Sequence, residues 1–148
     1  MRKRERSLPS NEADQLVVKT LRRSSRPLTA YELLERLRTR GFSAPPTIYR
    51  ALHRLVERGL IHRLESINAF VVCSNASHAH AATFAICEAC ESATELHDLE
   101  AVEHLSVSAS SANFTVRKMV LEIRGLCATC SKGGEFSGAE QVIATRPT

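Results

Sequence analysis

Pro45-Pro46-Thr47-Ile48-Tyr49-Arg50-Ala51-Leu52-His53-Arg54-Leu55-Val56-Glu57-Arg58-Gly59 is the stretch that decides the fold. Proline is tolerated in the first turn of a helix, and glycine commonly follows the last. Between them Ile48, Ala51, Leu52, Leu55 and Val56 fall at i, i+3, i+4, i+7 and i+8, the stripe a helix buries. Arg50, Arg54 and Arg58 make a second stripe, with Tyr49, His53 and Glu57 beside it. A helix apolar on one side and cationic on another suits a polyanion; its plainer alternative is a solvated face.

Upstream, Ser10 can cap a helix with Glu12 and Asp14 in its first turn, where acids are favourable. Its inward positions are Ala13, Leu16, Val17 and Leu21. Thr29-Ala30-Tyr31-Glu32 is a capping box for a second helix that buries Ala30, Leu33, Leu34 and Leu37 and stops near Gly41. Downstream, Ile61 to Leu64 and Ala69 to Cys73 flank Glu65-Ser66-Ile67-Asn68 as a β-hairpin. Three short helices and a hairpin predict a winged helix-turn-helix, whose third helix enters the major groove by its N-terminal half. Thr47, Tyr49 and Arg50 fall in that half, with Arg54 a turn further on, and arginine can bond a guanine edge through two donors.

Charge supports the division. Residues 1–65 carry 15 Lys/Arg against 7 Asp/Glu, a net +8, whereas residues 66–148 carry 5 against 9, a net −4. Arg2, Lys3, Arg4 and Arg6 offer an arm for phosphates. The 148 residues, 43% hydrophobic and 24% charged, are an ordinary globular mixture, so a disordered, collagen-like or disulfide-knot protein is excluded. Apolar segments are too short to span a membrane, and the basic start has no apolar run after it as a secretory signal would. The expectation is a cytoplasmic protein.

The expected domains are a DNA-binding winged helix at 1–73, a hinge at 74–79, a second module at 80–130 and a loose tail at 131–148. The second module reads as strand (Ala82 to Ile86), strand (Ala93 to His97), helix (capped by Asp98, with Leu99, Val102 and Leu105 inward) and strand (Phe114 to Ile123). Val116, Val120 and Leu121 do not alternate cleanly, which predicts a strand bulged or buried on both sides. Some 50 residues are few for an independent core, so a metal staple and a dimer partner would both help.

All five cysteines lie in the acidic part. Cys87-Glu88-Ala89-Cys90 and Cys127-Ala128-Thr129-Cys130 are two C-x2-C knuckles, and two such pairs close a tetrahedron around zinc. A saturated four-thiolate site leaves no place for water and holds a fold rather than performing chemistry. Cys73, His62, His78, His80 and Glu95 are the residue types of a mixed N/S/O site. Such a site would take ligands from both modules and clamp the hinge.

Residues 44–52 (Ala-Pro-Pro-Thr-Ile-Tyr-Arg-Ala-Leu), 59–66 (Gly-Leu-Ile-His-Arg-Leu-Glu-Ser), His80, Ile86-Cys-x-x-Cys90 and Gly125-Leu-Cys-x-x-Cys130 together resemble the ferric uptake regulator family, and within it the zinc uptake regulator branch. The resemblance covers roughly residues 10–130. It implies an α+β chain, an N-terminal winged helix-turn-helix followed by a C-terminal α/β dimerisation domain with structural zinc. It implies a dimeric repressor whose zinc corepressor favours operator DNA and shuts off zinc-uptake genes. The family's structural site falls on Cys87, Cys90, Cys127 and Cys130, and its regulatory site on His62, Cys73, His80 and Glu95, giving two Zn2+ per protomer. Tyr31 and Arg50 sit where the branch contacts bases, and Glu35 and Arg38 where it links two neighbouring dimers on one operator. Iron-sensing relatives have a histidine before the second knuckle. Val116 to Arg124 contains none, which argues against a third metal site there, and His97 and His104 read as surface residues.

Rival readings are a family sensor of iron, manganese, nickel or peroxide, a thiol redox switch, and a zinc enzyme. A thiolate at Cys73 favours zinc over harder ions. Neither H-E-x-x-H nor H-x-E…C-x-x-C occurs, so no catalytic zinc motif supports an enzyme.

Overall fold

The computed structural model describes residues 10–74 and 81–132. The arm at 1–9, most of the hinge and residues 133–148 lie outside them, and so do His78 and His80. The chain runs α1 (Ser10–Arg23), α2 (Ala30–Leu37), α3 (Pro45–Glu57), β1 (Ile61–Leu64), β2 (Ala69–Val72), β3 (Ala81–Cys87), β4 (Ala93–Leu96), α4 (Leu99–Ser111), β5 (Met119–Gly125) and α5 (Ala128–Lys132). Ser131 and Lys132, placed by sequence in the tail, belong to α5.

The first lobe is a winged helix-turn-helix. Thr29 and Glu32 form the predicted capping box: Thr29 Oγ1 accepts from Glu32 N–H at 3.2 Å, and the Glu32 carboxylate accepts from Thr29 N–H at 2.8 Å. Arg26 also binds that carboxylate, which lies at about pKa 2, held down by Arg26 first and despite partial burial. Gly41 and Gly59 take the left-handed conformation (φ 99° and 68°) that ends their helical segments. Val17, Leu21, Leu33, Leu34, Phe42, Ile48, Leu52 and Leu55 fill one core. Each such buried side chain contributes about 1.5–3 kcal/mol. Sequence periodicity missed Phe42, which follows a helix end, and the short bridge between Leu28 and Phe70 that adds a third edge to the wing.

Asp14 departs from its expected role at the start of α1. It is buried, and its carboxylate accepts from Arg54 at 2.7 and 3.3 Å, with Arg58 at 3.6 Å. A buried carboxylate needs a partner more than a helix start needs an acid.

The second lobe is a three-stranded sheet in the order β4-β3-β5, with β4 antiparallel and β5 parallel to β3. Alternate residues of β3 face opposite ways. Ala82, Phe84 and Ile86 pack on Leu64, Ile67 and Val71 of the wing, so the two lobes share a small apolar core.

The other face carries the small side chains Ala81, Thr83 and Ala85, and α4 covers it loosely. Leu99 is 66% exposed and Leu105 40%, while Val102 is half-buried, so the expected inward stripe of α4 is not buried by this chain. β5 begins at Met119, not Phe114, and its first four residues are half-buried. It is therefore neither bulged into the earlier stretch nor buried on both faces; the irregular alternation around Val116 belongs to the approach to the strand.

Candidate metal centres and nucleic-acid interface

The parallel pairing of β3 with β5 ends at Cys87 opposite Gly125, so both knuckles leave the sheet side by side. Backbone bonds tighten them: Glu88 N–H donates to Gly125 O at 2.8 Å, and Glu91 N–H to Cys87 O at 2.9 Å. The ligand atoms of Cys87, Cys90, Cys127 and Cys130 all lie within 4.8 Å of one another, and Cys90 Sγ stands 3.9 Å from Cys127 Sγ. Four sulfurs around tetrahedral zinc would stand about 3.8 Å apart.

The electrostatics ask for a cation. Backbone N–H groups of Cys90 and Cys127 pull the Cys87 thiol down to about 6, and the Ser92 hydroxyl lowers Cys90. The sulfurs of Cys127, Cys87 and Cys90 push Cys130 up to about 12. Three sulfurs thus oppose ionisation of the fourth, which a dication would relieve. The donor set fits zinc.

The second cluster forms between the lobes. His62 on β1, Cys73 just after β2 and Glu95 on β4 also bring their ligand atoms within 4.8 Å of one another. Cys73 is pinned by its N–H to Leu60 O at 3.0 Å. His62 is buried, its ring centroid 5.4 Å from that of Phe84, and its Nε2 has no hydrogen-bond partner among the described residues. Burial lowers its pKa, more than Glu95 raises it, and so favours the neutral imidazole that binds metals. An orphaned buried nitrogen beside a thiol and a carboxylate fits a borderline-soft ion such as zinc.

Ser74 donates to Glu95 Oε2 through both its N–H (3.0 Å) and its hydroxyl. Sequence reasoning left Ser74 in the hinge, since nothing local marks a partner 21 residues away. Among the described residues no third cluster of this kind forms, and His104 is exposed.

On the first lobe Tyr31 (69% exposed) and Tyr49 (59%) project from α2 and α3, with Arg50 exposed and Thr47 half-buried. Arg54 differs from them: its guanidinium is bound by Asp14, making it a strut between α3 and α1. Glu35 and Arg38 pair with each other within the chain.

The comparisons with known proteins follow the same lines. A sequence model of the ferric uptake regulator family matches residues 12–124. The chain belongs to the ferric uptake regulator family. It is 36% identical over 106 residues to the zinc uptake regulation protein of Escherichia coli K12, covering 70% of this chain and 61% of that one. The zinc uptake regulation protein of Shigella flexneri matches equally. The chain thus spans about 61% of the length of these curated relatives.

Among solved structures, holo XcZur is similar at 40% identity and TM-score 0.77, over 87% of this chain and 91% of that one. A zinc uptake regulator complexed with zinc and DNA is similar at 31% identity and TM-score 0.78, over 86% and 87%. No helix among the described residues is long and apolar enough to cross a membrane.

Proposed function

We propose that this chain is a zinc-responsive, sequence-specific repressor of transcription, a cytoplasmic homodimer that binds double-stranded operator DNA and shuts off zinc-uptake genes. The observation that carries this reading is the cluster of His62, Cys73 and Glu95, because its members come from both lobes. His80 is the fourth ligand in this proposal. A zinc ion there would supply cross-linking, not catalysis, and the chain's role is regulatory. A second zinc, held by Cys87, Cys90, Cys127 and Cys130, would brace the second lobe.

This chain's own residues do the rest. The ligands on β1 and after β2 move with the wing, and Glu95 moves with the sheet. Joining them fixes the winged helix against the second lobe, so that two copies can present α3 to major grooves about 34 Å apart. Zinc favours DNA binding only to the extent that it prefers the closed arrangement, and operator DNA must tighten zinc binding by the same factor. The likeness to a relative solved with zinc and DNA supports taking the closed arrangement as the DNA-competent one.

The exposed Leu99, Leu105 and Val107 of α4, with Phe114 and Ile123, support a second copy as their cover. Tyr31, Thr47, Tyr49 and Arg50 are the proposed base and groove contacts. Arg54 is proposed to touch phosphate with the donors that Asp14 leaves available. Two dimers on one operator would require Glu35 and Arg38 to exchange their internal pair for one across dimers.

A mobility-shift titration with free zinc buffered over a wide range tests the reading. Wild-type chain is expected to shift operator DNA only as zinc rises, and Cys73→Ser to lose that response while staying dimeric. DNA binding indifferent to zinc contradicts it. Iron or manganese substituting at equal free concentration would favour the sensor of another metal.

A further inference from the structure

We propose that Glu122 is a positioning residue for metal sensing: its carboxylate latches the tip of the wing to the second lobe and so sets how much zinc is needed to lock the lobes together. The proposal rests on the two-lobe clamp described above.

The latch follows from sheet register. Phe84 on β3 pairs with Glu95 on β4 and with Glu122 on β5, so these three form one row across the sheet. In-register neighbours share a face, and Phe84 faces the wing. The row meets the wing at three points. Glu95 receives Ser74 and stands in the mixed cluster. Phe84 lies under His62. Glu122 takes the hairpin turn: its Oε1 accepts from Glu65 N–H at 2.5 Å and its Oε2 from Ser66 N–H at 3.0 Å.

Apolar docking of Leu64, Ile67 and Val71 is non-directional and permits sliding. Two adjacent backbone donors on one carboxylate do not, and such charge-assisted bonds are among the stronger ones. They form between residues 56 and 57 positions apart and need no metal. A bond present only in the closed arrangement raises the closed fraction f, and the apparent zinc dissociation constant is the intrinsic one divided by f.

Two variants test this in the full chain. Glu122→Gln leaves one acceptor oxygen where two are used. Ser66→Pro removes the N–H and hydroxyl of Ser66 as donors but keeps the Glu122 charge. Ser66 occupies the second position of a turn closed by Asn68 N–H to Glu65 O, where proline is favoured. Zinc alone is titrated against a fluorescent chelator, and amide exchange is followed at Glu65 and Ser66.

The expected result is that the weaker zinc is bound about three- to tenfold less tightly in both variants. The four-thiolate zinc stays unchanged, and both amides exchange faster in Glu122→Gln. An unchanged weaker zinc in Glu122→Gln overturns the proposal. So does an effect absent from Ser66→Pro, which would mean charge alone, or a parallel loss of both zincs, which would mean general unfolding. If wild-type chain binds only the four-thiolate zinc, the clamp itself fails, and that result is distinct because it needs no variant.

Discussion

The two sulfur-bearing clusters differ in where their ligands come from. Cys87 ends β3, Cys90 lies in the turn beyond it, Cys127 follows β5 and Cys130 lies in α5, all at one corner of the second lobe. His62, Cys73 and Glu95 come from the wing, its edge and the sheet. In the proposed reading the first arrangement can only staple, because its ligands all belong to the second lobe. The second would report in that reading, because joining its ligands constrains the relative position of the two lobes. Both donor sets suit zinc, so in the proposed reading it is the chain topology around each cluster that separates a structural site from a sensing one.

The largest effect that sharpens this contrast is expected from Cys87→Ser. It breaks the staple at a thiol whose backbone partners favour the anion, and should abolish cooperative folding of the second lobe and any dimer built on it. Loss of amide protection in β3 and β5, together with sedimentation as monomer, checks this. A folded dimer with three knuckle cysteines would erase the distinction between the sites.

Cys73→Ser should remove one zinc per chain and cut zinc-dependent DNA affinity by about tenfold or more, with thermal unfolding of both lobes little changed. Metal content after gel filtration and a zinc-buffered mobility shift measure both halves of that statement.

Next in size is Asp14→Ala, which touches neither cluster. It leaves Arg54 without its buried partner and should destabilise the first lobe by about 1–3 kcal/mol in urea titration, leaving both zincs in place. A variant as stable as wild type would show that the α1–α3 strut contributes nothing.

The smallest effect concerns pH. The folded-state pKa of Glu32 is lowered to about 2, so its contribution to stability is fully present above about pH 4.5 and is lost as pH falls toward 2. Its ion pair is partly exposed, which limits the contribution to about 1 kcal/mol. Glu32→Gln should flatten that part of the acid-unfolding curve; an unchanged slope would contradict the assignment.

Much of the first lobe was legible because its signals are local. The capping box at Thr29 and Glu32, the stripe of α3 and the glycine stops each lie within one or two turns of chain. The knuckles were legible for the same reason, since two thiolates three residues apart carry their own geometry.

What escaped depends on distant partners. The row of Glu95, Phe84 and Glu122 exists only once three strands are in register. Nothing local in the sequence singles out Glu122, and Ser74 falls in the expected hinge. Asp14 looked like a helix-start acid because its partner is 40 residues away. The apolar stripe of α4 was legible as apolar, but sequence could not say that this chain leaves it exposed. His62 gave a further partial signal: its type suggested a ligand, while its burial against Phe84 came only from the docking of the wing.

Anomalous diffraction at the zinc edge, on crystals of the zinc-loaded full chain, tests the central claim most directly. The account predicts two peaks per chain, one among the four knuckle sulfurs and one within about 2.0–2.4 Å of His62, Cys73 and Glu95 together. A single peak at the knuckles, or a second ion bound by residues of one lobe alone, would contradict it.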